Sequence, residues 1–569
     1  MLKKPVYTAI VCFSLAATIA SAQNVFVLPG AGGSGNSAQV LSSQFTNVGT
    51  VSVGNSPFLI IPKPDGTKYY AIAASGSQTV TSFDPNFQNP RSLGSLGATA
   101  TAAAITPDGK KLLVIAGTLH VYDTTSDTDL TPNGVVAGTS FTDVAVNLEG
   151  SRAYLLGTQQ NGQGILYAID LTSNSFAPTG NLPLNNLTTS LAVGPNDFVY
   201  VGGVNRVYEI NPATLTVTSA GEIQTIIKAG RLAFTPDGRY LLVPNASPGP
   251  NQPAVVLIDL VAHTVGAQST PIANALITQI LVASPTVAFG FSTQTSSLYQ
   301  FSIPTLSLSA PTYPGVSGIA ISGAALSNDI AGGTHNTTQT LFLLSAGNAY
   351  KIDIPTNAVS NPVALNTATS QAIAVTGPFT SNTTTPATIL TYGSNQVLSQ
   401  GAVSMPVVAR VLDSNGNPVF GAAVTFSSAS SVTISNPTVT TGAGGYAVTT
   451  ITGTASGSAL VTATAGSATA NYNFTIGGGT GGSGTPTGGL SIIAGQGQIL
   501  FQNNNTNIAG FGSPLLVKVT DANGNPVPNP QVTYEIATGF GSLFPGISLD
   551  GTTTYAGAQT PDGMGLIIT

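Results

Sequence analysis

A unit of about 45 residues recurs along the first two thirds of the chain, and it limits the possible folds more than any other feature. Its first mark is a Pro-Asp-Gly turn between two apolar runs, as in TPDGKKLLV from Thr106 and FTPDGRYLLV from Phe234. Proline fixes φ, aspartate accepts hydrogen bonds from the turn amides, and glycine supplies a positive φ. Each copy therefore predicts two strands joined by a tight turn.

A second mark follows each turn, namely an apolar strand that ends in a polar residue. We interpret these residues as caps of hairpin turns rather than as calcium ligands or catalytic groups, because they recur once per unit at a strand end. They are Asp84, Asp123, Asp170, Asn211, Asp259, Ser302 and Asp353. Seven units built of strands and turns predict an all-β fold, a β-propeller with one four-stranded blade per unit.

The two ends of this region supply strands for one more blade. The strand near Gln371 has no turn after it, and the strands that begin near Asn24, Ala38 and Asn47 lack a first strand. Joined across the ring, these strands would close a propeller of eight blades over residues 23–376. The alternative is a seven-bladed ring with additional N-terminal strands outside the blades.

The alternation of turns and strands resembles the YVTN and lactonase-like propeller families of exported bacterial proteins. The resemblance is clearest in FTPDGRYLLV followed by VVLIDLVAHTV. It implies the fold but not an activity, since propellers include both binding proteins and enzymes. The chain has no tryptophan, which argues against the tryptophan-rich quinone-cofactor propeller dehydrogenases.

Two charged residues stand at equivalent places in two units, six residues before the turn acid. Asp143 precedes Glu149 by this spacing, Arg231 precedes Asp237, and Lys228 lies near Arg231. Because first strands line the channel of a propeller, we predict that Asp143, Lys228 and Arg231 form a ligand-binding site at one channel mouth. The alternative interpretation is that these charges are solvated or paired with each other.

The sequence shows no motif that indicates catalysis or metal binding. His120, His263 and His335 fall at different places in their units, and the one cysteine, Cys12, lies near the N-terminus. There is no Gly-x-Ser-x-Gly elbow and no phosphate-binding loop. We therefore predict no catalytic residue, no metal and no cofactor, while a lactonase-like hydrolase with residues from distant blades stays the enzyme alternative.

The first 22 residues have the form of an export signal, with Lys3 and Lys4, an apolar run and Ala20-Ser21-Ala22 before Gln23. A retained signal anchor is the alternative, and no later segment is predicted to span a membrane.

Only 6% of residues are charged, with 15 basic against 21 acidic and no basic run. Nucleic acid is therefore not an expected partner.

The heptapeptide DSNGNPV at Asp413 returns as DANGNPV at Asp521, and the residues around the two copies align without gaps. The strand patterns predict an immunoglobulin-like β-sandwich over 377–476, a Gly-rich linker over 477–489 and a second sandwich over 490–569. We interpret the heptapeptide as a turn, with a calcium site at its aspartate as the alternative. The second copy lacks counterparts of the last strands of the first, so we expect it to be truncated.

Both modules resemble the bacterial immunoglobulin-like group 1 domains of intimin- and invasin-type surface proteins, in which such domains act as spacers. The resemblance implies a protein that is either secreted or associated with the bacterial cell surface or outer membrane, and that binds a glycan or a protein through its propeller. We expect a monomer or part of a longer multi-module chain. A purely structural envelope protein is a further alternative, favoured if apolar side chains plug the channel.

Overall fold

The structure is a computed structural model of the 569-residue chain. It describes residues 24–28, 36–42, 45–54, 57–73, 79–135, 140–249, 251–272, 275–277, 280–292, 294–295, 297–309, 321–326, 340–345, 347–354, 356–365, 372–376, 385–414, 416–429, 432–477, 489–494, 516–520 and 566–568. The predicted signal over 1–22, residues 377–384 and most of the linker and the second module lie outside these residues.

Eight antiparallel sheets form the N-terminal part of the described chain. The first three strands, which belong to the last sheet, are β1 (Asn24–Leu28), β2 (Ser37–Leu41) and β3 (Asn47–Ser52). Blade 1 consists of β4 (Pro57–Pro62), β5 (Tyr69–Ala73), β6 (Thr79–Phe83) and β7 (Arg91–Ser95). Blade 2 consists of β8 (Ala102–Ile105), β9 (Lys111–Ala116), β10 (Thr118–Asp123) and β11 (Thr128–Asp129).

Blades 3 to 5 follow the same order, in which each strand pairs with the next along the chain. Blade 3 consists of β12 (Ser140–Val146), β13 (Arg152–Thr158), β14 (Gly164–Asp170) and β15 (Pro178–Pro183). Blade 4 consists of β16 (Thr188–Val193) and two long strands, β17 (Val199–Asn211) and β18 (Thr216–Lys228). Blade 5 consists of β19 (Ala233–Phe234), β20 (Tyr240–Pro244), β21 (Val255–Asp259) and β22 (Thr264–Gln268).

Blades 6 and 7 complete the run of consecutive sheets. Blade 6 consists of β23 (Ile280–Ser284), β24 (Val287–Ser292), β25 (Ser297–Ser302) and β26 (Leu308–Ser309). Blade 7 consists of β27 (Ile321–Leu326), β28 (Thr340–Ser345), β29 (Asn348–Asp353), β30 (Ala358–Val359) and β31 (Val363–Ala364). In blade 7 both β30 and β31 pair with β29.

Blade 8 joins the two ends of the propeller. Its innermost strand, β32 (Ala372–Thr376), pairs antiparallel with β1 in the register Asn24↔Thr376, and β2 and β3 follow outward. The eight-bladed ring and its composite closing blade are confirmed, and the seven-bladed alternative is set aside. Such a closure leaves no inner strand of the last blade unpaired, which protects the ring from edge-to-edge pairing.

Buried side chains fill the spaces between adjacent blades, including the two contacts of the closing blade. Phe26 in β1 packs against Tyr69 and Phe83 of blade 1, with ring centroids 5.3 and 5.9 Å away. On the other side, Phe45 stacks on Phe342 of blade 7 at 5.8 Å. The closing blade is therefore held by aromatic packing on both faces as well as by its strand pairing.

A β-sandwich follows the propeller. Its strands are β33 (Thr388–Tyr392), β34 (Gln396–Ser399), β35 (Val407–Leu412), β36 (Ala423–Ser427), β37 (Val432–Ile434), β38 (Thr438–Thr440), β39 (Tyr446–Thr449), β40 (Ile451–Gly453), β41 (Gly457–Ala465) and β42 (Ala468–Gly477). One main sheet has the order β33-β35-β39 and the other β34-β42-β41-β36-β38. Val407, Val424, Val461 and Phe474 meet in the core between them.

The second module is described only at three strands, which pair in the order β43-β44-β45. They are β43 (Gly489–Ala494), β44 (Leu516–Thr520) and β45 (Leu566–Ile568). The second heptapeptide at Asp521 and the expected truncation fall outside the described residues. No helix in the described part of the chain has the length and apolar character needed to cross a membrane.

Candidate functional site

The first strand of each blade lines the central channel, and the described first strands consist mostly of apolar residues. Ala103 and Ala104 of β8, Ala192 of β16 and Val282 of β23 are partly buried and pack against the cores between blades. Asp143, in β12, places a carboxylate among these strands. Asp143 is the only acid in the first strands as far as the structure describes them, which makes it a distinctive chemical feature of the channel.

The Asp143 carboxylate bridges two neighbouring blades. Its Oδ1 accepts a hydrogen bond of 2.9 Å from the Val144 amide, and its Oδ2 accepts one of 3.1 Å from the Leu191 amide in blade 4. Burial raises the pKa of Asp143, while these two hydrogen bonds and the positive charge of Arg231 act in the opposite direction. The carboxylate is thus held in place by backbone donors and lies within the electrostatic reach of Arg231.

Lys228 and Arg231 lie in the connection between blades 4 and 5. Lys228 is the last residue of β18 and is partly buried, whereas Arg231 is exposed and stands two residues before β19 rather than inside a first strand. No ion pair of 4 Å or less joins either cation to Asp143 among the described side chains. The three predicted site residues therefore share one region of the propeller without a direct salt bridge.

The sandwich docks on the propeller face that presents the Pro-Asp-Gly turns. The Ala443 amide donates a hydrogen bond of 2.7 Å to the Pro107 carbonyl in blade 2. The Pro236 carbonyl in blade 5 accepts hydrogen bonds from Tyr392 Oη at 3.2 Å and from an Arg410 guanidinium nitrogen at 3.1 Å. The turns that mark the repeat thus also form a docking surface between the two domains.

This docking covers the channel end nearest the turns. A cavity of about 340 Å³ lies between Val193, Phe234 and Val282 at the ends of three inner strands and Arg410 and Tyr446 of the sandwich. Lys228 and Arg231 lie in the connection that enters β19 at the end away from the turns, whereas Asp143 is the middle residue of β12. The two ends of the channel consequently differ, one meeting the sandwich and the other meeting the predicted site.

Sequence reasoning did not find the docking residues. Arg410 interrupts the buried strand VVARVL, and its side chain is only 7% exposed. Its guanidinium lies over the Tyr446 ring at 5.0 Å, and its Nε donates to the Gly444 carbonyl at 3.1 Å. A lone arginine in an otherwise apolar strand was the available signal, since buried charges are rare unless partnered.

Six of the seven polar residues at the strand ends cap turns through their side chains, as predicted. Asp123 Oδ1 accepts hydrogen bonds from the Thr125 and Ser126 amides, and Asp259 Oδ1 accepts them from the Val261 and Ala262 amides. Asp84, Asp170, Asn211 and Asp353 each accept from an amide two or three residues further on. These interactions account for the recurring aspartates without a ligand.

Asp413 in the heptapeptide is used in the same way. Its Oδ1 accepts a hydrogen bond of 2.8 Å from the Asn417 amide, and Gly416 has a φ of 79°. In the described residues no group of three His, Cys, Asp or Glu side chains is arranged to hold a metal ion. His120 lies in β10 and His263 in the turn after β21, whereas His335 lies outside the described residues.

The described chain is thus a β-propeller followed by a module of immunoglobulin-like class. Residues 387–476 match the family model of the bacterial Ig-like domain (group 1), so the sandwich is a domain of this kind. A comparison with curated proteins finds no match.

Three solved structures are similar to this chain at low sequence identity. Dihydro-heme d1 dehydrogenase NirN in complex with DHE is 13% identical with a TM-score of 0.48, over 60% of this chain and 73% of that chain. Apo AztD from Citrobacter koseri is 12% identical with a TM-score of 0.42, over 62% and 98%. Hydrazine synthase from Kuenenia stuttgartiensis is 14% identical with a TM-score of 0.32, over 52% and 77%. Similarity at this level does not show that this chain shares the activity of any of these proteins.

Proposed function

We propose that the protein is an exported binding protein of the bacterial surface, in which the propeller is the binding head and the immunoglobulin-like modules are its support. The observation that supports this proposal is the docking of the sandwich through Tyr392, Arg410 and Ala443 onto one propeller face. A support fixed to one face leaves the opposite channel mouth directed away from it. The role fits adhesion to a glycan or protein on another surface.

The ligand contact in this proposal is at the mouth defined by Asp143, Lys228 and Arg231. Arg231 is the exposed cation there, and Asp143 is a backbone-anchored acceptor in an apolar wall. Such a combination of one cation, one acid and apolar neighbours suits recognition of a polar ligand more than it suits bond cleavage, which requires a positioned nucleophile or acid–base pair.

The experiment is binding of the full chain to arrays of glycans and to immobilised bacterial and host cell surfaces, comparing wild type with Arg231→Ala. We expect saturable binding by wild type that falls at least tenfold in Arg231→Ala. Arg91→Ala is the matched control, because Arg91 is an exposed arginine in the outermost strand of blade 1 and its loss should leave binding unchanged. Equal binding by all three proteins would rule out the channel mouth at Arg231 as the binding site. Absence of binding by wild type would rule out the proposed binding function.

The same preparations distinguish the enzyme alternative. A lactonase-like hydrolase would open lactones catalytically, and this turnover is followed by the acid released. Turnover that exceeds the background rate and disappears in Asp143→Asn would replace the adhesion proposal. If neither binding nor turnover is found, a purely structural envelope role is favoured.

A further inference from the structure

We propose that the ligand of the channel mouth is an acidic saccharide, and that Lys228 and Arg231 bind its carboxylate. This ligand assignment rests on the function proposed above, because it names the ligand class of the same site. Uronic and sialic acids are two kinds of sugar that carry such a carboxylate. Three features of the molecule point to this ligand: the distribution of charge over the propeller, the lack of an acidic partner for these two cations, and the backbone that carries them.

Charge is distributed unequally between the two faces of the propeller. The face away from the Pro-Asp-Gly turns holds the loops between the second and third strands of each blade and the connections from one blade to the next. Arg231 is the only charged residue that the structure describes in these segments, and the sequence has no other between the same strands. Lys228 ends β18 directly before the same connection. The opposite face has acids in its turns, such as Asp108 and Asp237, so the two cations stand apart from most of the acids.

Neither cation is paired with an acid. Among the described side chains, no carboxylate lies within 4 Å of Lys228 or Arg231. Arg206, another cation of blade 4, is by contrast paired with Glu222 at 2.6 Å. The carboxylate of Asp143 already accepts hydrogen bonds from two backbone amides. Two cations and one acid therefore give the mouth a positive charge in a chain whose net charge is -6, and a ligand with a single carboxylate would balance it.

The backbone that carries the two cations is fixed by blades 4 and 5. The Lys228 carbonyl accepts a hydrogen bond of 2.8 Å from the Ala246 amide in blade 5. The Ala229 carbonyl accepts one of 2.7 Å from Thr189 Oγ1, and the Ala229 amide donates one of 3.0 Å to the Gly203 carbonyl, both in blade 4. Because this connection is already ordered, a ligand has to immobilise only the ends of the two side chains, which lowers the entropic cost of binding.

The groups beside the cations suit a sugar better than a bare inorganic anion. Thr142 is exposed at the bulge of β12, where its hydroxyl donates to the Leu156 carbonyl at 3.3 Å and can still accept a hydrogen bond. Leu187, directly before β16, is 44% exposed, and Ile226, two residues before Lys228, is 50% exposed. A saccharide presents hydroxyl groups and an apolar ring face next to its carboxylate, whereas an inorganic anion presents only charge.

The test is isothermal titration calorimetry of the full chain with two pairs of saccharides that differ in a carboxylate. Trigalacturonic acid is compared with its methyl ester, and sialyllactose with lactose, so that uronic and sialic acids are distinguished. We expect saturable binding of at least one acidic saccharide, and binding of its neutral counterpart that is weaker by about tenfold or more. Raising the salt from about 0.05 to about 0.5 M should weaken the binding, because it screens the attraction between exposed charges.

Variants of the two cations test their role. Lys228→Gln and Arg231→Gln each remove one charge but keep a polar side chain, so each should weaken binding of the acidic saccharide by about tenfold. Arg231→Lys keeps the charge and should bind more tightly than Arg231→Gln. Arg91→Ala is the matched control, because it changes the net charge by the same amount in the outermost strand of blade 1 and should bind as wild type does. The melting temperatures of these variants should equal that of wild type.

Three results would overturn the assignment: no preference for the acidic member of either pair, equal weakening in Arg91→Ala, or tighter binding of a hexaglutamate peptide than of both acidic saccharides. Failure of this assignment is distinguishable from failure of the proposed function. If Arg231→Ala weakens binding to a glycan or protein on the arrays but no acidic saccharide binds in calorimetry, the binding function stands and the acidic ligand is wrong.

Discussion

Arg410 of the immunoglobulin-like domain donates a hydrogen bond of 3.1 Å to the carbonyl of Pro236, in one of the propeller's Pro-Asp-Gly turns. Tyr392 donates to the same carbonyl at 3.2 Å, so a single turn receives two side chains from the neighbouring domain. A carbonyl oxygen has two lone pairs and can accept both. This arrangement makes a repeated structural turn into an interdomain contact.

The first prediction concerns this contact. Tyr392→Phe removes one interdomain hydrogen bond and should lower the free energy of unfolding by about 1 kcal/mol. The unfolding transitions of the propeller and the sandwich should also become less coupled in scanning calorimetry. Tyr472→Phe is the control, since Tyr472 donates at 2.8 Å to Val408 inside the sandwich. If both variants change only the sandwich transition, the contact does not couple the domains.

The second prediction concerns the pH dependence of stability at His263. Its Nδ1 lies 3.1 Å from Oε2 of Glu209, a carboxylate that is almost fully buried. Burial lowers the pKa of His263, but the hydrogen bond and charge of Glu209 and the charge of Asp259 outweigh it and raise the pKa above its ordinary value. A raised folded-state pKa stabilises the fold below about pH 6.5, and this stabilisation is lost as the pH rises through the folded-state pKa.

The difference in melting temperature between wild type and His263→Gln should therefore be larger at pH 5.5 than at pH 8.5. Thermal unfolding of both proteins between pH 5.5 and 8.5 measures this difference. The same measurement on His120→Gln shows whether the other described histidine contributes to the pH dependence of stability. A constant difference between wild type and His263→Gln at all pH values would contradict the assignment.

The third prediction tests the closing blade. Phe26 is fully buried between the strands of blades 8 and 1, so Phe26→Ala should lower the free energy of unfolding by about 3 to 5 kcal/mol in urea titrations. Phe26→Leu should cost less, since it keeps most of the buried volume. A small effect of Phe26→Ala would show that the ring does not depend on this blade.

The fourth prediction separates the two interpretations of the heptapeptide. Asp413→Ala removes the acceptor for the Asn417 amide and should lower the free energy of unfolding by about 1 to 2 kcal/mol. The melting temperature of wild type should be the same in millimolar calcium as in the presence of a chelator, because the carboxylate accepts a hydrogen bond within the turn and does not bind calcium. Calcium-dependent stabilisation that Asp413→Ala abolishes would restore the calcium interpretation.

Much of the propeller was predictable because its information is local and repeated. The turn residues around Asp108 and Asp237 and the capping aspartates act within five residues of themselves, so their chemistry is visible in any copy of the unit. The closing blade was predictable for a related reason, since a first strand near Gln371 and later strands near Asn24 complement each other. At the predicted site, sequence spacing found Asp143 but not its bonds to the Val144 and Leu191 amides.

The sequence by itself determined the propeller repeat, its turns and the immunoglobulin-like module, because alternation, turn chemistry and period are properties of short segments. It left seven and eight blades open, and the pairing of β1 with β32 decided for eight. Only the tertiary structure decided how the domains meet. Tyr392 and Pro236 are 156 residues apart, and Arg410 and Pro236 are 174 apart. Contacts at such separations depend on surface shape and the positions of single donors, which leave no period in the sequence.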